Sequence, residues 1–197
     1  MKSKRWLILL AGLAVILLAG GTGVTRSAFT DTEQSIDNTL TMSTGIVTLL
    51  NDGFEGTPWD ANWDGNGATS WIQDASKPHT GSYDAYCDKD NNGYLTSDDL
   101  DASAASSITV SFWFNTKGIE AGDILVQLYN GGTYNTWYDI TNYPTYVNNA
   151  WCYFSEVITD PQYFISSFRL RFDGSGLVDK NEECNIDDVL ITITEQW

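Results

Sequence analysis

Residues 88–99 place oxygen-bearing side chains where a calcium loop needs them. Asp88, Asp90, Asn92 and Thr96 fall at loop positions 1, 3, 5 and 9, Gly93 at the sharp turn, and Asp99 at position 12. Calcium is a hard cation that takes six to eight oxygen ligands, which this spacing could supply. The flanks argue the other way. Such a loop is held between two helices, whereas 81–87 reads as a strand and 101–107 has no apolar face. Position 12 is also Asp in place of the longer bidentate Glu. The competing reading is a β-hairpin that turns at 90–93, and a hairpin loop can still hold calcium.

Other side chains bound the chemistry further. His79 is the single histidine, so a zinc site built on several imidazoles is excluded. Carboxylates are plentiful, yet no pair has a spacing that marks a general acid and base. No enzyme is expected. Tyr129, Tyr134, Trp137, Tyr138, Tyr143 and Tyr146 form an aromatic run that either stacks on sugar rings or packs the interior. Trp137, Tyr134 and Tyr138 are its first candidates for ligand contact. Trp59, Trp63 and Trp71, in a glycine-rich stretch, carry the same pair of readings.

The elements that position these residues follow from composition and periodicity. The chain has 197 residues, 42% of them hydrophobic, enough for a folded domain with a real core. Acidic residues number 26 against 10 basic, a formal charge of −16. Lys2, Lys4, Arg5 and Arg26 precede every acidic residue, and removing them takes the charge to −20. Such a surface repels phosphate backbones, so nucleic acid is excluded as a partner, and it favours cations. The basic start and the apolar run over 6–19, closed by Gly20 and Gly21, read as a secretory signal peptide over 1–27. An uncleaved membrane anchor is the other reading, although the run is short of the roughly 20 residues that span a bilayer.

From residue 51 the apolar pattern has period two. Ile108, Val110, Phe112 and Phe114 alternate with Thr109, Ser111 and Trp113; Ile124, Val126 and Leu128 repeat the pattern. Phe168, Leu170 and Phe172 alternate with Arg169 and Arg171, and Val189, Ile191 and Ile193 close the chain. Turn residues separate these runs at 64–67, 91–93, 130–132 and 173–176. No stretch keeps a 3.6-residue period. The class is all-β, an antiparallel two-sheet sandwich.

Two resemblances sharpen this. Ala28-Phe29-Thr30-Asp31-Thr32-Glu33, followed by Asn38-Thr39-Leu40 and Thr44-Gly45-Ile46-Val47, resembles the start of precursors cut by SipW-type signal peptidases. That group includes the TasA and camelysin family of biofilm-matrix and surface proteins. The resemblance implies cleavage between Ser27 and Ala28. Further on, Asp52-Gly53-Phe54-Glu55, His79-Thr80-Gly81-Ser82-Tyr83, 94–100, 108–114 and Ile186-Asp187-Asp188-Val189 occur in an order similar to jelly-roll domains of the MAM and carbohydrate-binding-module type. It implies a jelly roll over 51–197, preceded by an extended arm over 28–50, with a recognition or adhesion role and no catalysis. It also implies a structural calcium held by Glu55 and Asp187, with Asp52 and Asp188 beside them. Asp187 shares the parity of Val189, Ile191 and Ile193, which places it toward the core. There it needs either a cation or strand-end backbone amides.

Two functions remain open for an exported, extracellular or cell-surface protein. One is a calcium-stabilised structural subunit that self-assembles through its arm at a neighbour's sheet edge, the reading the sequence slightly favours. The other is a monomeric carbohydrate-binding or adhesion module. The jelly-roll resemblance also implies a cysteine pairing. With strands starting near residues 81, 94, 108, 123, 135, 151, 168 and 184, the first, eighth, third and sixth are neighbours in that order. Cys87 and Cys184 then lie on adjacent strands. Cys152 is two strands from Cys184, roughly 10 Å away and beyond bridging reach. A Cys87–Cys184 disulfide is expected. N-terminal sequencing of the extracellular protein should return Ala28 as its first residue; Met1 would overturn the processing reading.

Overall fold

A computed structural model describes residues 45–63 and 70–196. The signal segment and arm residues 28–44 lie outside them. The strands are β1 (Ile46–Asp52), β2 (Ile72–Asp74), β3 (Asp84–Asp88), β4 (Tyr94–Thr96), β5 (Ala105–Lys117), β6 (Leu125–Tyr129), β7 (Tyr134–Asp139), β8 (Trp151–Ile158), β9 (Arg169–Asp173) and β10 (Glu183–Glu195). One sheet runs β2-β3-β10-β5-β8, with β1 also beside β10, and the other runs β4-β9-β6-β7. The pairings are antiparallel, and the architecture is a jelly-roll sandwich. The expected neighbours in the first sheet are those found: β3, β10, β5 and β8 in that order.

Alternation along the strands builds the core. Ile108, Val110, Phe112 and Phe114 of β5 face Val126 and Leu128 of β6 and Leu170 and Phe172 of β9, all buried. Phe112 ties the layers together: it stacks on Phe154 at 4.5 Å and meets Phe172 of the other sheet edge-on at 4.9 Å. Each such side chain contributes about 1.5–3 kcal/mol by leaving water.

β10 is the hinge of the first sheet. Its residues 183–186 pair with β3, and its residues 189–194 pair with β1 on the same side, while β5 runs along the other. Between the two partners the register shifts, and Asp188 takes a left-handed backbone (φ 50°). That bulge reverses the side-chain parity. Cys184 and Ile186 face the core before it, Val189 and Ile191 after it. Asp187 therefore does not share their face, contrary to the sequence parity. It pairs with Trp113 on the outer side of the sheet, yet is fully buried there.

Three further expectations concern these strands, and the second is corrected. Residues 46–50 of the arm pair with 191–194 of the chain's own β10 along one edge, and arm residues 28–44 lie outside the described residues. The turn at 90–93 does not close a hairpin, because β3 and β4 belong to different sheets and the turn crosses between them. Cys87 and Cys184 stand opposite each other on β3 and β10 as expected, both buried, and the structure draws no bond between them or to Cys152. Burial, with a hydrogen bond to Cys184 added, pushes the Cys87 thiol well above its ordinary range.

The outer face of this sheet also buries Asp84, whose two carboxylate oxygens accept from Asn185 Nδ2 at 3.1 and 3.0 Å. Desolvation raises its carboxyl to about 7, only partly offset by that amide. A raised value in the folded state means that the fold is penalised as pH rises. The loss begins near the ordinary carboxylate range, grows to pH 7 and is constant above it. Asp84→Asn should therefore be more stable than the wild type at pH 8, on the order of 2–4 kcal/mol, with the gap closing by pH 4. Urea midpoints across that range check this; a pH-independent gap would refute it.

Candidate functional site

Two places collect chemistry-bearing side chains. The first is the junction where β1 and β3 meet along β10. Asp187 Oδ2 accepts from the backbone N–H groups of His79 (2.8 Å) and Thr80 (3.0 Å), and its Oδ1 accepts from Asp188 N (2.7 Å). Asp188 accepts from Thr80 Oγ1 at 2.6 Å and lies 2.7 Å from His79 Nδ1. The His79 ring in turn stacks on Trp113 at 3.9 Å. Glu55 Oε1 accepts from Ser82 N (2.7 Å) and Tyr83 N (2.8 Å). Gly81 is required between them: its φ is +63°, and a Cβ there would collide with the Glu55 carboxylate. Asp52 caps Phe54 N at 2.8 Å and receives Asn62 Nδ2 and Trp63 Nε1.

Glu55, Asp187 and Asp188 thus all bind loop 79–83, whereas Asp52 binds Phe54, Asn62 and Trp63. Burial raises the Asp187 carboxyl, and the amides of Thr80 and Asp188 work against that rise. The amide reading of Asp187 describes this geometry. Among the described residues, no three His, Cys, Asp or Glu side chains converge as a metal ligand set. Oxygen donors suit calcium. No lysine or arginine pairs with the four carboxylates among the described ion pairs.

The alternative loop does not assemble. Asp88 Oδ1 accepts from the N–H groups of Asp90 and Asn91, both at 2.9 Å, which makes it a turn-forming residue. Asn92 donates to Leu177 O at 2.8 Å, and Asp99 accepts from Arg169 Nε at 2.6 Å on the far sheet. Strands flank the segment where a calcium-loop motif needs helices.

The second place is the outer face of the four-stranded sheet. Leu170 and Phe172 point inward, so Arg169, Arg171 and Asp173 point outward. The Arg171 guanidinium lies 3.3 Å from the Tyr134 ring centroid and 4.4 Å from that of Tyr94, while its Nε donates to Thr96 Oγ1 at 3.0 Å. Tyr129 is 5.0 Å from Tyr134, and Arg169 sits 5.8 Å over Tyr129. Gln127 donates to Asp173 Oδ2 at 3.2 Å. The result is a strip of half-buried rings interleaved with fixed donors and acceptors. Flat apolar rings meet the C–H faces of a sugar, and planar guanidinium and amide groups meet its hydroxyls.

Only Tyr134 of the three ligand-contact candidates belongs to this strip. A register shift after Val126 disturbs the alternation of β7. Trp137 and Tyr138 instead pack on Phe154, at 5.5 and 5.2 Å. Tyr143 does the same at 4.6 Å, and Trp63 and Trp71 are buried against Phe172. Arg169, Arg171, Tyr94 and Gln127 escaped the sequence reading. The alternation of the two arginines with Leu170 and Phe172 was the signal that marked an outward charged face.

No family model and no curated protein sequence matches the chain. Solved structures do match. The K3 cleaved adhesin domain of Lys-gingipain from Porphyromonas gingivalis w83 is similar at TM-score 0.50 and 19% identity, over 75% of this chain and 99% of that one. A family 16 carbohydrate-binding module is similar at TM-score 0.50 and 16% identity, over 73% and 97%. The tandem CBM22 domain of Paenibacillus barcinonensis Xyn10C gives TM-score 0.50 and 17% identity, over 78% of this chain and 48% of that one. At these identities the likeness is one of fold.

Proposed function

We propose that this protein is an exported, non-catalytic carbohydrate-binding or adhesion module that holds glycan on the outer face of the four-stranded sheet. One observation carries the reading: Arg171 fixed between Tyr94 and Tyr134, with Tyr129, Gln127 and Asp173 alongside. The names of the similar structures, an adhesin domain and carbohydrate-binding modules, support it. Assembly through the arm, which the sequence slightly favours, has no supporting observation among the described residues, where β1 pairs with the chain's own β10. Affinity electrophoresis through gels containing xylan, mixed-linkage β-glucan or mannan tests the reading. At least one polysaccharide should retard the wild type. Arg171→Ala and Tyr134→Ala should each weaken retardation about tenfold, which corresponds to about 1.4 kcal/mol, with melting midpoints little changed. Migration unaffected by every polysaccharide, or retention unaffected by both substitutions, would refute it.

Calcium belongs to the same proposal as a stabiliser of the fold. Glu55 and Asp187 are its ligand candidates at the β1–β3 junction, with Asp52 and Asp188 as further candidates, and none of the four has a lysine or arginine partner among the described ion pairs. A ligand at 100 times its dissociation constant adds about 2.7 kcal/mol to stability. Chelation should lower the melting midpoint, Glu55→Gln should abolish that dependence, and Asp88→Ala should leave it intact. An unchanged midpoint on chelation would remove calcium from the account.

A further inference from the structure

A cleft of about 460 Å³ opens on the other sheet, lined by Ile72, Asp74, Ser76, Lys77, Tyr86, Lys117 and Glu183. Its volume lies within the roughly 300–1,000 Å³ of small-molecule sites. The strand register forms its floor: Ile72 pairs with Tyr86 across β2 and β3, and Glu183 pairs with Lys117 across β10 and β5. The segment after β2 brings Ser76 and Lys77 over that floor. No part of the cleft belongs to the arginine–tyrosine strip or to the carboxylate junction.

Its chemistry is polar, balanced and organised. Lys77 Nζ donates to Glu183 Oε2 at 3.0 Å and Lys117 Nζ donates to Oε1 at 2.7 Å, so one carboxylate bridges two ammonium groups. The Lys117 hydrogen bond, followed by that of Lys77, lowers the Glu183 carboxyl from its ordinary value against the opposing effect of burial. An ammonium has three N–H donors, and Glu183 takes one from each lysine. Asp74 brings a second carboxylate, braced by Ser76 N at 3.2 Å and by the Ser76 hydroxyl. Tyr86 and the 38%-exposed Ile72 give the cleft an apolar wall. Two lysines against Glu183 and Asp74 leave the lining without net charge. Asp88 stands behind the Tyr86 hydroxyl at 3.1 Å, and the chain as a whole is at −16, so an anionic ligand meets a repulsive field.

We infer that this cleft is a second sugar site, separate from the first, that takes a neutral ring of one or two units. Sugar hydroxyls accept from the spare Lys77 and Lys117 donors and donate to Asp74 and Glu183, while the C–H face lies on Tyr86 and Ile72. The class of ligand follows the carbohydrate reading above, but the site and its residues do not depend on it.

Two-dimensional amide NMR on the ¹⁵N-labelled mature protein tests this, with glucose, galactose, mannose and xylose as probes and glucuronate as the charge control. At least one neutral sugar should give saturable shifts at Asp74, Lys77, Tyr86, Lys117 and Glu183, with glucuronate at least tenfold weaker. Lys77→Met and Lys117→Met should each weaken the binding at least tenfold. Ser76→Trp, at an exposed position that narrows the cleft, should abolish it even if a lysine variant is unstable. Saturable shifts absent from these residues for all four sugars, or tighter binding of glucuronate, would overturn the inference. Because the readout is residue by residue, shifts confined to Tyr94, Tyr134 and Arg171 would sink this site and spare the first. The converse pattern would do the reverse.

Discussion

The fold depends on one long strand serving two partners on the same side. β10 must hand its edge from β3 to β1, and antiparallel pairing cannot do that without a gap. The bulge at Asp187 and Asp188 fills it. The cost is a left-handed Asp188 and, beside it, a left-handed Phe54 (φ 59°), each on the order of 1–3 kcal/mol. Three amide hydrogen bonds to the buried Asp187 carboxylate help offset that cost, because an ionised group left bare there would be far more expensive.

The consequences run outward from this junction. Loop 79–83 is bound by Asp187, Asp188 and Glu55, which fixes where the chain re-enters β3. His79, pinned on Trp113, keeps the preceding segment on the outer face of the sheet. That segment carries Lys77 onto Glu183 and shapes the cleft. A buried carboxylate in β10 thus helps set the course of the segment that brings Lys77, which it does not itself touch, to Glu183.

The two outer faces differ because their strands differ. On the four-stranded sheet the outward positions are Tyr and Arg, which stack as flat groups and leave an open strip. On the six-stranded sheet the outward row of Asp84, Tyr86, Asn185 and Asn115 is largely covered, and polar groups there must find partners in a low-dielectric setting. Asp84 illustrates the penalty: its one amide partner does not compensate for its desolvation. Open stacking surface and covered polar row are two solutions to the same outward alternation.

Much of this was readable from residue order. Period-two runs at 108–114, 124–128 and 168–172 determined the strands, because a half-buried sheet imposes that alternation. The resemblance of the motif order supplied the neighbours of β10, and it set Cys87 opposite Cys184. Parity failed wherever a bulge intervened. Asp187 and Trp137 both sit at register shifts, and one extra residue sends a side chain to the opposite face. The oxygen spacing at 88–99 is local, whereas its members belong to different sheets and Asp99 accepts from Arg169. Alternation and charge are properties of neighbouring residues, so the sequence alone determined the strands, the core and the acidic surface. The joining of Arg171 to Tyr94 and Tyr134, and of Lys77 and Lys117 to Glu183, spans residues distant in the chain. Only strand pairing and loop closure in the folded sandwich decided those contacts.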